Sequence, residues 1–400
     1  MKYAKLVMVT AQNNNKYYEM KQTSDNYFEA CYGRVGSAPA HAEYPMGKWN
    51  SKYNEKIRKG YKDVTELSQV IVERHKEKVK YKEIAEASVR AVVEFLRNCS
   101  AQHVRRNYTI AAEAVTPDMV NAAQEKINVL GNTDDVWQFN RELVDLFQIL
   151  PRAMKQVDAF LAKDKSDFPE ILTREQNLLD VMAGQVVQNN RMQATDEQQE
   201  IKDKTILEAM GLEMKPVSEA QEKEIIRHLG RNASRYVRAW RVTNKESRKK
   251  YLAYLKAHPE CKTKQYWHGS KNENFWNILL TGLKLNPNAA ITGKMFGKGI
   301  YFAPSPSKSL GYTSINGSYW AGGHSHVAYM AVMDVACGKA FDVYSWDHSY
   351  TNITGKTLSS FESDANYLYA HKDKGMLKND ELVVYAEEQT TIRYLVELKD

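Results

Sequence analysis

Cysteine is scarce in this chain of 400 residues, and its four copies lie far apart. Cys31, Cys99, Cys261 and Cys337 form no Cys-x-x-Cys pair, so their spacing does not support a zinc finger. So few thiols in a chain of this length are typical of proteins that work in a reducing compartment.

Long apolar runs are also missing. The first 30 residues contain no apolar segment of the signal-peptide type, and no window of 18 apolar residues occurs elsewhere. We therefore expect a soluble, intracellular protein without a membrane partner. The expected location is the nucleus if the source is a eukaryote, and the cytoplasm if it is bacterial or viral.

The common nucleotide-binding motifs are absent as well. No G-x-G-x-x-G opens a helix, which argues against a Rossmann dinucleotide site. The stretch Gly297-Lys298-Gly299 lacks the G-x-x-x-x-G-K-[ST] spacing of a phosphate-binding loop.

Positive charge is concentrated at one end of the chain. Residues 1–106 hold 20 Lys and Arg against 12 Asp and Glu, a net charge of +8, whereas the remaining residues hold 36 against 37. Such asymmetry indicates an anionic partner for the N-terminal quarter, with nucleic acid as the leading candidate. A basic solvated surface is the alternative.

Several short stretches of the second half gain meaning when they are read together. Each has an ordinary structural interpretation alone: His268 as a packed histidine, Gly297-Lys298-Gly299 as a turn into a strand, and Glu381 as a solvated strand residue. The set, in chain order, is residues 266–270 (Tyr-Trp-His-Gly-Ser), 293–303 (Gly-Lys-Met-Phe-Gly-Lys-Gly-Ile-Tyr-Phe-Ala), 307–309 (Ser-Lys-Ser), Tyr312 and 379–385 (Asn-Asp-Glu-Leu-Val-Val-Tyr).

This set closely resembles the catalytic core of the poly(ADP-ribose) polymerases. The resemblance implies that NAD is the substrate and that no metal is needed. It assigns Glu381, His268 and Tyr301 to catalysis: Glu381 at the nicotinamide ribose, His268 at the adenine-side ribose, and Tyr301 as a wall of the nicotinamide pocket. A carboxylate bonded to a ribose hydroxyl suits a transition state that resembles an oxocarbenium ion.

The same resemblance implies further contacts to NAD. Tyr312 would stack on the nicotinamide ring, and the Gly269 backbone would bind the carboxamide, because a missing Cβ lets the main chain approach a ligand. The Ser309 hydroxyl would add a third bond. Ser270 and Lys308 complete the implied NAD-binding residues.

The N-terminal residues resemble a WGR domain. Tyr32-Gly33-Arg34-Val35-Gly36 is similar to the aromatic-Gly-Arg-Val-Gly core of that domain, with Tyr32 in place of its usual Trp. The resemblance implies that Tyr32 and Arg34 contact a DNA end or break. A tyrosine can still stack on a base, and an arginine fork can grip phosphate. Strand packing of Tyr32 and a surface ion pair of Arg34 are the alternatives.

A helical segment follows. Thr116-Pro117 predicts a helix start and Gly131 its end. The segment resembles the helical regulatory domain of DNA-dependent poly(ADP-ribose) polymerases, most clearly at 177–180 (Asn-Leu-Leu-Asp), although Gln176 stands where the family often has an acidic residue. Helical packing without a regulatory role is the alternative.

The sequence therefore predicts an α+β protein of three parts. They are a small β-rich WGR-like DNA-binding domain over residues 1–80, an all-α helical regulatory domain over 81–205, and a mixed, mainly antiparallel α+β ADP-ribosyltransferase domain over 206–400. Ser218 and Asn244 are expected helix N-caps. Lys284 and Asn379 depart from residues found in relatives, and the aromatic-rich segment 343–378 also differs.

We expect a DNA-dependent poly(ADP-ribosyl)transferase that moves ADP-ribose from NAD to protein side chains and elongates the chain in the DNA damage response. Its expected partners are DNA ends or nicks and protein acceptors including itself, with a monomer in isolation. A mono(ADP-ribosyl)transferase or NAD glycohydrolase with the same core is the alternative. A third is a DNA-end binding module with weak catalysis.

Overall fold

The computed structural model describes residues 1–35, 37–65, 81–110, 112, 115–196, 203–285, 295–372 and 377–400, without the side chains of 192–196. The motif residues Gly36, Gly293 and Lys294 lie outside these ranges. The chain divides into two compact units. The described residues of the first fall within Met1–Lys78 and Gln102–Val186, and those of the second within Val79–Ala101, Val187–Pro287 and Gly293–Asp400.

A five-stranded antiparallel sheet opens the first unit. Its elements are β1 Tyr3–Thr10, β2 Asn14–Gln22, β3 Tyr27–Arg34, β4 Ala40–Pro45, helix α1 Trp49–Arg58 and β5 Lys62–Asp63. The strands lie in the order β4-β3-β2-β1-β5. Alternation along the strands places Leu6, Met20 and Phe28 on one face, where they pack against Trp49 of α1.

The helices of the first unit pack against the face of the sheet opposite to α1. The helices are α2 Ala87–Asn107, α3 Pro117–Leu130, α4 Val136–Ile149 and α5 Phe168–Asp196, of which α2 and α5 each contribute a part because the unit boundary falls within them. Val7 and Val9 of β1 share one buried cluster with Phe139 and Leu143 of α4. The sheet and the helices of this unit therefore have a common core.

Local helix signals act as predicted in this unit. The Thr116 side chain accepts a hydrogen bond from the Met119 N–H and so caps α3, which Gly131 follows. Gln176 is fully buried and its amide bonds Gln124 at 2.8 Å and Asp180 at 2.9 Å. The residue that replaces an acidic side chain is thus part of a polar network inside the helices.

A charged pair is enclosed in the core of the first unit. Arg152 donates to Glu175 at 3.1 Å, and each side chain is only 2% exposed. The guanidinium also lies over the ring of Tyr108, 4.9 Å from its centroid. Taking two charges out of water costs several kcal/mol per ion, and their attraction offsets that cost only while both partners are present.

Glu175→Ala is expected to destabilise the chain by about 3–5 kcal/mol, because Arg152 stays buried without its partner. The midpoint of urea unfolding, followed by circular dichroism, measures the change. Glu125→Ala removes an exposed carboxylate of α3 and serves as the control, with little expected shift. A Glu175→Ala midpoint equal to that of the wild type would contradict the assigned cost.

Two sheets form the second unit. Its strands are β6 Leu212–Pro216, β7 Tyr236–Asn244, β8 Lys262–Gly269, β9 Ile300–Phe302, β10 Val327–Cys337, β11 Lys339–Val343, β12 Ala365–Ala370, β13 Glu381–Val384 and β14 Thr390–Lys399. One sheet has the order β6-β7-β14-β10-β8 and is antiparallel. The other has the order β11-β12-β13-β9, with β11 and β12 parallel.

Short helices flank these sheets. They are α6 Ile206–Ala209, α7 Glu219–Leu229, α8 Lys245–Ala257, α9 Asn272–Thr281, α10 Pro306–Leu310 and α11 Leu358–Phe361. Ser218 forms the predicted capping box with Gln221 at the start of α7. Asn244 caps α8 by accepting from the Ser247 N–H. Both helix starts are confirmed, and an α+β fold with mainly antiparallel sheets is observed.

A backbone bridge joins the two sheets. The Trp267 N–H donates to the Ala303 carbonyl at 3.0 Å, and the Ala303 N–H donates to the Trp267 carbonyl at 3.0 Å. The bridge places the end of β8 beside the end of β9. Since β9 pairs with β13, residues of three strands meet at this edge.

Residues ahead of position 206 belong to the core of the second unit. Val92 and Leu96 of α2 lie in the same buried cluster as Trp240 and Trp276. The Trp276 indole N–H donates to Gln188 Oε1 at 2.6 Å. Part of the segment assigned to the helical domain therefore packs on the sheets, and the three-domain division stays a prediction.

Several elements differ from those predicted. The sequence predicts a turn over residues 33–36, but Gly33 and Arg34 lie in β3, paired with Tyr17 and Lys16, because the ladder with β2 continues through them. The sequence gives no signal for strands β4, β5, β11 and β12. Of the helices in the described ranges, none combines the length and the apolar character that a membrane crossing requires.

Candidate active site

The residues assigned to NAD gather at one edge of the four-stranded sheet. Tyr301 is the central residue of β9 and lies opposite Val383 of β13. Glu381 is the first residue of β13. His268 lies one residue beyond the bridge residue Trp267 on β8. The bridge and the β9–β13 ladder thus bring three distant parts of the sequence together.

Glu381 is held by a lysine. The Lys308 ammonium contacts Glu381 Oε1, and the two side chains are 11% and 15% exposed. Burial lowers the pKa of Lys308 to about 8, and the nearby Asp380 opposes that shift. This contact fixes the carboxylate in place at the start of β13.

His268 is oriented by the strand beside it. Its Nδ1 lies 3.1 Å from the Tyr301 carbonyl oxygen, which can only accept, so Nδ1 carries the proton. Burial lowers the pKa of His268 below its usual value, against the opposing effect of that backbone bond. A neutral imidazole results, and its Nε2 is able to accept a hydrogen bond from a hydroxyl.

Glycine is required at position 269 because the main chain of β8 lies close to the main chain of Ser309. A Cβ atom at this position would lie 1.8 Å from the carbonyl oxygen of Ser309. Ser309 is buried in α10, so this contact sets the distance between β8 and α10. The implied ligand contact of the Gly269 backbone stays a prediction, and packing against Ser309 is a second reason for glycine.

The loop ahead of β9 is fastened by side chains. The Tyr301 hydroxyl accepts from the Phe296 N–H at 3.0 Å and donates to the Gly297 carbonyl at 3.0 Å. The Tyr385 hydroxyl donates to the Phe296 carbonyl at 2.7 Å. The Trp346 indole N–H donates to the Met295 carbonyl at 3.1 Å. Tyr301 therefore anchors this loop, and its role as a wall of the nicotinamide pocket stays a prediction.

Gly297 is the turn residue of that loop. It has a φ of 72°, and a Cβ there would lie 2.1 Å from the Ile353 carbonyl oxygen. The next N–H, that of Lys298, donates to the same carbonyl at 2.8 Å. Trp346 and Ile353, which lie outside the motifs, therefore support the loop ahead of β9. Sequence reasoning missed this role of Trp346 and Tyr385, although the aromatic content of the segment favours packing.

Tyr312 follows α10 and stacks on an aromatic neighbour. Its ring centroid lies 5.9 Å from that of Trp320, with 18° between the planes. The N–H groups of Trp320 and Ala321 both donate to the Gly311 carbonyl, at 2.8 and 3.0 Å. Trp320 thus backs the tyrosine assigned to the nicotinamide ring, and the motifs alone give no signal for it.

Two further residues named in the sequence analysis, the predicted NAD-binding residue Ser270 and the departure Lys284, have protein partners. Ser270 Oγ accepts from the Asn274 side chain at 2.9 Å. Lys284 Nζ donates to Glu387 Oε2 at 2.7 Å. Among the residues that the structure describes, no group of three or more His, Cys, Asp or Glu side chains is placed to hold a metal ion.

Tyr32 and Arg34 lie in the first unit. Tyr32 stacks on Tyr18 with ring centroids 5.4 Å apart. Arg34 donates to the backbone and side-chain oxygens of Asn13 at 3.1 and 2.8 Å, and it also contacts the Lys155 carbonyl. Both side chains therefore have structural partners, and their contact with DNA stays a prediction.

The site combines the acceptor nitrogen of neutral His268, the aromatic rings of Tyr301 and Tyr312, and the ion-paired carboxylate of Glu381. This combination suits the transfer of a ribosyl group. The fold and the site together thus define an ADP-ribosyltransferase. The model of the poly(ADP-ribose) polymerase catalytic domain matches residues 224–400. The chain belongs to the poly(ADP-ribose) polymerase family, and its catalytic domain is an NAD+ ADP-ribosyltransferase.

The similar proteins include viral and cellular relatives. Uncharacterized protein 101L of Invertebrate iridescent virus 6 is 32% identical over 197 residues, which cover 48% of this chain and 82% of that protein. Poly [ADP-ribose] polymerase 2 of Arabidopsis thaliana is 33% identical over 155 residues, 33% of this chain and 23% of the relative. Poly [ADP-ribose] polymerase 1 of Gallus gallus is 28% identical over 182 residues, which cover 41% of this chain and 17% of that protein. The similarity spans less than a quarter of either named polymerase.

Gly269→Ala is expected to abolish most NAD turnover and to lower the melting temperature, because a Cβ would overlap the Ser309 carbonyl. Turnover is measured as release of nicotinamide from NAD, and melting by scanning fluorimetry. Gly47→Ala is the matched control, since a Cβ at Gly47 meets nothing within 4 Å. Full activity of Gly269→Ala would mean that β8 and α10 can separate without harm to the site.

Proposed function

We propose that this chain is a DNA-dependent poly(ADP-ribosyl)transferase. It transfers ADP-ribose from NAD to protein side chains, its own included, and then extends the chain by further units. The observation that carries the proposal is the Glu381 carboxylate, ion-paired to Lys308 at the start of β13. That carboxylate is available to both ribosyl transfer and chain extension.

In this mechanism the bond between the nicotinamide ring nitrogen and the ribose C1′ breaks. Its electron pair goes to the ring, and nicotinamide leaves as a neutral molecule. Glu381 hydrogen-bonds a ribose hydroxyl and so stabilises the positive charge that develops at C1′. His268, with Nε2 as acceptor, holds the second ribose, and Tyr301 and Tyr312 hold the leaving group.

The acceptor hydroxyl then forms the new bond to C1′. Its proton passes to the Glu381 carboxylate, which acts as a general base. Lys308 supports this role because its ammonium contacts Glu381 Oε1 and so positions the carboxylate. The same group therefore serves the donor and the acceptor in succession.

A mono(ADP-ribosyl)transferase or NAD glycohydrolase is the second candidate. Asn379 favours it, because some relatives have a tyrosine two residues before the glutamate. The two candidates share donor chemistry and differ in whether the acceptor is water, a protein side chain or another ADP-ribose unit. Product length therefore separates them.

DNA dependence rests on the N-terminal quarter of the chain. Residues 1–106 carry the positive excess and include the Tyr32-Gly33-Arg34 stretch. DNA can stimulate the enzyme only if it binds the active form better than the inactive one. On this proposal the partners are DNA ends or nicks, and the reaction belongs to the response to DNA damage.

Glu381→Gln keeps the shape of the side chain and removes its charge. We expect chain elongation to fall by about 10²–10⁴-fold, the usual contribution of a positioned acid–base group, while NAD binding is nearly retained. Polymer length on gels with labelled NAD measures elongation, and titration calorimetry measures binding. Glu362→Gln, which alters a carboxylate paired with Lys339 at 2.6 Å, is the control. Unchanged polymer length in Glu381→Gln would remove the carboxylate from elongation.

Arg34→Ala is expected to weaken binding to nicked DNA and to reduce the salt dependence of binding by about one unit of slope, as expected for one lost phosphate contact. Fluorescence anisotropy at several salt concentrations measures both. Arg34→Lys should recover the slope, because it restores the charge. Arg141→Ala, a control in α4 whose side chain is 56% exposed, should change neither.

NAD turnover of each variant with and without nicked DNA completes this experiment. Turnover without DNA should be the same in Arg34→Ala and the wild type. If the affinity and slope of Arg34→Ala equal those of the wild type, the phosphate contact lies elsewhere.

A further inference from the structure

The loop that follows α10 carries an exposed aromatic cluster. We call residues 313–325, which lead from Tyr312 towards β10, the Trp320 loop. Tyr312, Tyr319 and Trp320 are 40%, 77% and 54% exposed. The Tyr319 ring is perpendicular to the Trp320 ring, with centroids 4.5 Å apart, whereas the Tyr312 ring stacks on it. Three exposed rings in contact form an apolar patch, and such patches mark binding sites more often than single exposed residues do.

The Trp320 loop is held in one shape from its base to its tip. At the base, Ile315 is 2% exposed, shares a buried cluster with residues of the five-stranded sheet, and forms a backbone bridge with Ser325. Nearer the tip, the Gly323 N–H donates to Ser318 Oγ at 2.8 Å. The loop therefore gives Trp320 a fixed position although its ring is half exposed.

Gly311, at the end of α10, leaves room for the indole. A Cβ atom at this position would lie 2.9 Å from Trp320 Cδ1 and 3.3 Å from the Lys308 carbonyl oxygen. The φ of Gly311 is −63°, which any residue can adopt, so glycine serves here to provide space and not backbone freedom. Its carbonyl accepts from the N–H groups of Trp320 and Ala321. The end of α10 and the tip of the loop are thus fitted to each other.

The indole covers one face of the Tyr312 ring. The two centroids are 5.9 Å apart and the planes are 18° from parallel, within the offset arrangements that aromatic pairs prefer. Because Trp320 occupies that face, a flat ligand can stack on Tyr312 only from the opposite one. A side chain that is already held in its bound orientation loses less freedom when the ligand arrives than a mobile one does.

We propose that Trp320 is a positioning residue for the leaving group. It holds the Tyr312 ring in place before NAD arrives, and Gly311 makes that contact possible. Trp320 acts through Tyr312 and does not itself contact the nicotinamide ring. The inference rests on the role of Tyr312 in the proposed function, and on neither DNA dependence nor chain length. Since Tyr312 is ordered in the free enzyme, more of the stacking energy is available as affinity for the nicotinamide ring.

Binding of the two parts of NAD to the whole chain tests this role without relying on turnover. Benzamide has the ring shape and the carboxamide of nicotinamide, and ADP-ribose is NAD without nicotinamide. Trp320→Ala should weaken benzamide binding by about three- to tenfold, the cost of ordering one side chain on binding, and leave the affinity for ADP-ribose unchanged. Titration calorimetry measures both. Trp320→Phe keeps a ring against Tyr312 and should bind benzamide nearly as the wild type does.

A double-variant cycle links Gly311 to the same contact. Gly311→Ala alone should reproduce the loss of benzamide affinity, because its Cβ displaces the indole, and it carries the same comparison should Trp320→Ala fail to fold. In the Trp320→Ala background the added Cβ meets no indole, so the second change should cause no further loss. An effect through the Lys308 carbonyl would persist in the double variant. Additive losses would therefore contradict a shared contact.

The chain offers a matched control for the loss of an exposed indole. Trp137 of α4 is 70% exposed and lies under the Arg141 guanidinium, 5.2 Å from the ring centroid. Trp137→Ala should leave both affinities unchanged. Melting temperatures of all variants establish that they are folded. Benzamide affinity of Trp320→Ala equal to that of the wild type, or an equal loss of benzamide and ADP-ribose affinity, overturns the proposal.

Tyr312→Ala separates this inference from the proposed function. If benzamide affinity falls in Tyr312→Ala but not in Trp320→Ala, Tyr312 keeps its place at the nicotinamide ring and the positioning role of Trp320 is wrong. If it is unchanged in Tyr312→Ala, both roles are wrong. In turnover, Trp320→Ala should raise the KM for NAD with kcat nearly unchanged, because the stack is present before and during bond cleavage. Wild-type products of one unit, or activity that ignores DNA, would contradict the proposed function and leave the role of Trp320 intact.

Discussion

Two backbone hydrogen bonds between Trp267 and Ala303 join the sheets of the second unit, and the site depends on them. They place β8 beside β9, so His268 can bond the Tyr301 carbonyl at 3.1 Å. The β9–β13 ladder then brings Glu381 to the same edge. Because these bonds involve main-chain atoms, substitutions of the Trp267 and Ala303 side chains affect the bridge between the sheets only indirectly.

The motifs of the second half predict most of this site because they carry both chemistry and local structure. His268 lies next to the end of a strand, Glu381 begins one, and Ser309 lies in a short helix. Helix starts at Thr116, Ser218 and Asn244 are also predictable, since a cap depends on a few neighbouring residues. The sequence therefore specifies those features whose causes lie close together along the chain.

The remaining features arise from contacts between distant segments. Trp320 backs Tyr312, and Trp346 and Tyr385 hold the loop ahead of β9. Their side chains look like ordinary packing aromatics in the sequence. Strands β4 and β11 lie at sheet edges, and nearly all of their residues are exposed or half-buried. Residues such as Leu96 join the core of the second unit only through tertiary packing.

The close approaches of Gly269 to Ser309 and of Gly297 to Ile353 have an evolutionary consequence. At both places main chain fills the space that a side chain would need, so substitution there cannot reshape the site by small steps. Divergence among related enzymes must instead accumulate in the surrounding loops, such as the one that carries Trp320 and the segment 343–378. New substrate preferences would arise by changes of loop length and aromatic content around an inner frame that does not change.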